Sequence, residues 1–135
     1  MNAPLESQSS TIDPRVTIRP EVSTAKTATS EAEQFQNQVL RPIIKMQNDL
    51  LVNIYRHFLL KRKVKFSGMS VEARTKWIEQ SVSKDNRLRG LLLGMVIGHF
   101  TQEEFQQFLD MEGEVRRRIT NLITQRLQSQ MKTLL

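Results

Sequence analysis

Apolar residues recur with helical spacing through most of this chain, and the longest such stretch runs from Ser30 to about Lys63. Leu40, Ile44, Leu51, Ile54 and Phe58 share one narrow face there, flanked by Val39, Ile43 and Leu50. Ser30 followed by Glu33 has the spacing of a capping box and marks the start. Pro42 interrupts the pattern early: it either kinks a single helix or opens a second one after a short N-terminal piece. Gln47 projects into the middle of the apolar face. A polar side chain in that position bonds a neighbouring backbone group or fixes register between two chains.

Ser67-Gly68-Met69 reads as a turn, and Ser70 starts a second helix that carries Trp77, Ile78 and Val82. Lys84-Asp85-Asn86 is a tight connection into a third, glycine-striped helix. In it Gly90, Gly94 and Gly98 fall four apart, on one face, among Leu91, Leu92, Leu93, Met95, Val96 and Ile97. A helix apolar on every side belongs inside a protein, and the run 91–97 is too short to cross a bilayer. Each helical glycine costs roughly 1 kcal/mol relative to alanine. Close approach of another helix to Gly90, Gly94 and Gly98 is therefore expected. Thr101 with Glu104 forms a second capping box. The last helix then extends from about Gln102 to Lys132, with Phe105, Phe108, Leu109, Val115, Ile119, Leu122, Ile123, Leu127 and Met131 inward and Gly113 as a break or bend.

No stretch alternates with period two, so strands are not expected. The pattern predicts an all-α fold: a single helical bundle of about four helices over 30–135, two long outer ones bracketing two short inner ones. Residues 1–29 are rich in Ser, Thr and Pro and poor in large apolar groups, and are expected to be a disordered tail.

Composition changes this picture mainly through charge. The 135 residues carry a net charge of +6, and the charges within 1–29 cancel, so the excess falls on the helical part. Such a balance favours polyanionic partners, although a plain solvated basic surface accounts for it as well. There is no cysteine, which excludes disulfides, thiolate metal sites and cysteine nucleophiles. The N-terminus has no basic region followed by an apolar run, so a cytoplasmic protein without a secretory signal is expected.

Catalytic signals are weak throughout. His57 and His99 are the whole imidazole supply, and His99 and Glu103 straddle the Thr101 cap rather than sharing a helical face. No nucleophile elbow, phosphate loop or dinucleotide fingerprint occurs. Neither an enzymatic activity nor a cofactor, metal or small-molecule substrate is expected. Glu112 and Arg116 have the spacing of an intrahelical ion pair. Arg126 and Gln130 lie on the inner side of the last helix, as if its far end meets something polar.

Two basic clusters are candidate phosphate contacts: Arg56, Lys61, Arg62, Lys63 and Lys65, and then Arg116, Arg117 and Arg118. Some of the first cluster is explained by capping, since cations offset the dipole at a helix C-terminus. Tyr55 and Phe66 are candidate stacking partners for bases, with core packing the plainer reading of Phe66.

Two stretches, Gln36-Asn37-Gln38-Val39-Leu40-Arg41-Pro42-Ile43-Ile44-Lys45-Met46-Gln47-Asn48-Asp49-Leu50 and Leu93-Gly94-Met95-Val96-Ile97-Gly98-His99-Phe100-Thr101, resemble a family of short, uncharacterised all-helical bacterial proteins. The resemblance covers about residues 33–130 and implies a helical fold. Some members are labelled "glyoxalase". Enzymes of that name use repeated βαβββ units with His and Glu metal ligands on strands. This chain's pattern offers neither, so no functional residue carries over. The expected function is docking of a basic, non-enzymatic helical protein onto nucleic acid, most plausibly structured RNA such as the ribosome. The alternative is a helical protein–protein module, such as a homodimer, with incidental charge. An enzyme comes third. No helix-turn-helix is expected, because the short helix pair ends in an apolar helix rather than a polar recognition helix.

Overall fold

The computed structural model describes residues 13–24 and 30–134, and among these residues every regular element is helical. A short α1 (Pro14–Thr17) precedes α2 (Glu31–Phe35), a π-helical turn (Gln36–Leu40), α3 (Arg41–Met46) and α4 (Asn48–Lys61). After a 3₁₀ turn (Phe66–Gly68) follow α5 (Val71–Lys84), α6 (Asn86–Ile97), α7 (Gln102–Asp110) and α8 (Glu112–Ser129). The helices are shorter and more numerous than the four-helix expectation, because both long helices are interrupted.

The start signals act as the sequence indicates. Ser30 Oγ accepts the Glu33 amide at 3.1 Å, and Ser70 Oγ accepts the Ala73 amide at 3.1 Å. Asp85 accepts the Leu88 amide at 3.0 Å, and Thr101 and Glu104 form a complete reciprocal box.

Pro42 neither breaks nor simply kinks its helix. Proline cannot donate to the carbonyl four residues back, and its ring clashes with that carbonyl. Here the turn just upstream widens into the π segment, closed by a bond from the Arg41 amide to the Gln36 carbonyl. The helical course from Glu31 to Lys61 continues through it and bends again at Gln47 (φ −97°, ψ 14°).

Gln47 is buried, and its amide donates to the Met95 carbonyl at 2.8 Å. That carbonyl lies in the last turn of α6, where it lacks a helical partner. The backbone-bonding expectation for Gln47 therefore holds, and its partner belongs to a different helix.

The interruption in the final helix falls at Met111 (φ −142°, ψ 40°), two residues before Gly113, which sits exposed inside α8. As a consequence Phe105 and Leu109, expected inward, are 39% and 46% exposed.

The first helical course and α8 run side by side in the same direction. Arg118 Nη1 meets Gln36 Oε1 at 2.9 Å near one end, while Arg56 bonds the Thr133 carbonyl near the other. Helices α5, α6 and α7 carry the chain back between them. The core is made of Leu40, Ile43, Leu51, Ile78, Leu92, Val96, Ile119, Ile123 and Leu127, all essentially inaccessible. Inside it Tyr55 Oη and Ser81 Oγ lie 2.6 Å apart, and burial pushes the Tyr55 phenol up to about 12 against the counteracting Ser81 bond.

The glycine stripe departs from expectation. Helix α6 buries Leu88, Leu92, Leu93 and Val96 and turns Gly90, Leu91 and Gly94 outward, with Leu91 52% exposed. Nothing lies within 4 Å of a Cβ built on Gly90 or Gly94, and at Gly98 the near atom is the carbonyl of Gly94 at 2.9 Å. No neighbouring helix among the described residues approaches these glycines. Spacing places them on one face but cannot say whether that face is covered.

The expected tail over 1–29 lies partly outside the described residues, which omit 1–12 and 25–29. Over 13–24 the finding differs from disorder. Asp13 caps α1, and Arg15 Nη1 donates to the Phe100 carbonyl at 3.2 Å. Arg19 Nη2 donates to the His99 carbonyl at 2.7 Å, and Lys45 Nζ to the Glu21 carbonyl at 3.2 Å. Polar groups hold this segment where apolar ones are scarce: arginines bind carbonyls just beyond the α6 C-terminus, a position that favours cations.

Candidate nucleic-acid interface

The first basic cluster gathers at the end of α4, and its backbone explains why. Lys63 has φ 57°, the left-handed conformation normally given to glycine. It allows the Val64 amide to reach the Leu59 carbonyl and the Lys63 amide the Leu60 carbonyl, both at 3.0 Å, a Schellman closure. A lysine there costs roughly 1 kcal/mol that glycine would not. Arg74 steadies the following 3₁₀ turn, donating from Nε to the Phe66 carbonyl at 2.7 Å.

Lys61, Lys63 and Lys65 are exposed, and none has an ion-pair partner among the described residues. Arg62 behaves differently. Its guanidinium lies 4.8 Å from the centre of the Phe58 ring and pairs with Asp85. The Asp85 carboxyl titrates below its ordinary value, first because it accepts the Leu88 amide and then because of the Arg62 charge. Arg56 is half-buried and bonded to the Thr133 carbonyl, so it ties α4 to the segment that follows α8.

Beside Arg62 lies a groove of about 260 Å³, partly open, lined by Phe58, Trp77, Gln80, Lys84 and Asp85. The half-buried rings of Phe58 and Trp77 meet edge to face with centroids 6.4 Å apart. Cations next to partly exposed aromatic rings are what single-stranded nucleic acid needs: phosphates on one, bases on the other. The stackers expected from the sequence are not these. Tyr55 and Phe66 are 0% and 3% exposed and belong to the core. Trp77 and Phe58 read in sequence as ordinary inward residues of two separate helices, and only packing α5 on α4 brings them to a groove edge.

The second basic cluster is largely offset within its own helix, three arginines facing two carboxylates. Arg117 and Arg118 reach Glu114 at 2.6 and 2.8 Å, and Arg116 lies 4.0 Å from Glu112, the pairing expected from their spacing. Hydrogen bonds from Arg117 and then Arg118 hold the Glu114 carboxyl below its ordinary value. Arg118 also bonds Gln36, which places this cluster at the opposite end of the parallel helices. The two clusters are separated by roughly 35 Å of helix, several Debye lengths at physiological salt. They do not form one surface.

Among the described residues no three His, Asp or Glu gather into a metal-holding group, and no helix is long and apolar enough to cross a membrane. No family model matches this chain, and no curated protein or solved structure shows a significant match to it.

Proposed function

We propose that this protein docks onto structured RNA, such as that of the ribosome, through the end of α4 and the groove between α4 and α5. On this proposal Lys61, Lys63, Lys65 and Lys84 contact phosphates, while Trp77 and Phe58 receive an unpaired base. No catalytic step is involved, and the site of action is the cytoplasm. The observation that carries it is that Lys61, Lys63 and Lys65, exposed and without an ion-pair partner among the described residues, adjoin in the chain Arg62, which with Lys84 lines the Phe58–Trp77 groove. Arg116, Arg117 and Arg118, already paired with Glu112 and Glu114, contribute little.

The test is binding of a fluorescent RNA hairpin, with ribosome co-sedimentation, across a salt series. Each phosphate contact adds about 0.9 to the slope of log affinity against log salt. The K61E/K63E/K65E variant should therefore weaken binding about tenfold or more and flatten the slope by about 2–3. Arg62 is left intact, since losing it would also remove the ion pair to Asp85 at the start of α6. Equal binding by the two proteins would remove the proposal.

The second reading is a homodimeric helical module, favoured by the outward face of α6 with Leu91 52% exposed beside Gly90 and Gly94. Sedimentation equilibrium separates the two: a concentration-dependent dimer without RNA affinity supports the module.

A further inference from the structure

Midway along the parallel helices, away from the lysine cluster, α3 and α8 part to leave a cleft of about 200 Å³, in part open to solvent. Its floor is apolar, made by Ile44 and Leu122, and Val22 from the segment before α2 closes one side. Two arginines line it, Arg41 and Arg126, together with Gln125. Both arginines are half-buried. Arg41 uses only Nε, donating to Asn37 Oδ1 at 3.1 Å, and Arg126 makes no side-chain hydrogen bond or ion pair among the described residues.

Like charges in a partly desolvated cleft repel each other, and the repulsion is strongest where water is fewest. Among the described residues no carboxylate lines this cleft to offset it. The dipole of α8 favours Arg126, which lies in its last turn, but it does nothing for Arg41 at the start of α3. A bound anion satisfies both, because guanidinium forks match the paired oxygens of carboxylates and phosphates.

We propose that this cleft binds a small molecule consisting of an oxyanion, carboxylate or phosphate, attached to an apolar body. Arg41 and Arg126 clamp the oxyanion and Gln125 donates to it. The apolar body lies on Ile44 and Leu122 beneath Val22. This site is independent of the RNA-docking surface. It makes Val22 one wall of a ligand site, so the segment that straps the bundle also shapes the pocket.

Calorimetric titration of the full chain with hexanoate, hexyl phosphate and neutral hexanol, at matched chloride, tests the proposal. Hexanoate or hexyl phosphate should bind at millimolar concentration or below, and hexanol should not; the tighter of the two anions identifies the oxyanion. Arg126→Gln and Arg41→Gln should each weaken binding about tenfold or more, the usual worth of one charge-assisted contact. The K61E/K63E/K65E variant should bind like the wild type, which separates a built site from general attraction to a basic protein. Should the arginine variants fold poorly, Val22→Trp, which fills the cleft and keeps both charges, must abolish binding in their place. No binding of either anion by the wild type, or unchanged binding by Arg126→Gln or Val22→Trp, overturns the proposal.

Discussion

Arg19 and Glu104, 85 positions apart in the chain, form a two-point ion pair in which Nη1 and Nη2 each lie 2.8 Å from a carboxylate oxygen. Both side chains are largely withdrawn from water, at 6% and 15% exposure. Glu104 serves two partners, because its Oε1 also accepts the Thr101 amide at 2.9 Å in the capping box of α7. The pair thus fastens residues 13–24 to the corner between α6 and α7 and completes a helix start.

Breaking that pair should be costly. Arg19→Met removes one partner of a mostly buried pair and should lower stability by about 2–3 kcal/mol, measured by urea unfolding. Burial alone pushes the Glu104 carboxyl upward, but the hydrogen bonds from Arg19 and the Thr101 amide outweigh it, and the group titrates below its ordinary 4.5. A depressed carboxyl contributes stability that is present above its unfolded value and lost as pH falls through its folded value. The wild type should therefore lose this contribution below about pH 4.5, and Arg19→Met should show a smaller loss over the same range.

Gly94→Ala should raise the melting temperature, with a gain of about 0.5–1 kcal/mol, because a Cβ there meets nothing within 4 Å and alanine is the better helix former. Gly98→Ala should gain less or lose, since its Cβ would sit 2.9 Å from the Gly94 carbonyl. A lower melting point for Gly94→Ala would mean that another molecule packs on this face.

At Lys63 stability and binding should move in opposite directions. Lys63→Gly relieves the left-handed conformation and should stabilise by about 1 kcal/mol. If the lysine contacts phosphate, the same change should weaken RNA binding and reduce the salt slope by about 0.9. A gain in stability with no change in affinity would leave Lys63 outside the interface.

Gln47→Met keeps the size of the side chain but leaves the Met95 carbonyl without its donor. A buried carbonyl stripped of its partner costs about 1–3 kcal/mol, and chemical denaturation should show a loss in that range.

Much of the helical framework is legible from local spacing. Ser30, Ser70 and Thr101 cap helices because a short polar side chain can reach an amide three residues on whatever the rest of the chain does. The Glu112–Arg116 pair and the inward face of α8 follow in the same way from helical geometry. What periodicity cannot supply is the neighbour. It places Gly90 and Gly94 on one face of α6, yet only the packing of α6 leaves that face open. It marks Arg116, Arg117 and Arg118 as basic, yet their partners and their distance from Lys61 depend on how two parallel helices align. The segment 13–24 looks unanchored because its anchors are arginines, and their acceptors lie some 80 positions away. Helix starts and faces are set by atoms within a few residues, so the sequence by itself determined them. Exposure, ion pairing and the two grooves arise between residues distant in the chain, so only the tertiary structure could decide them.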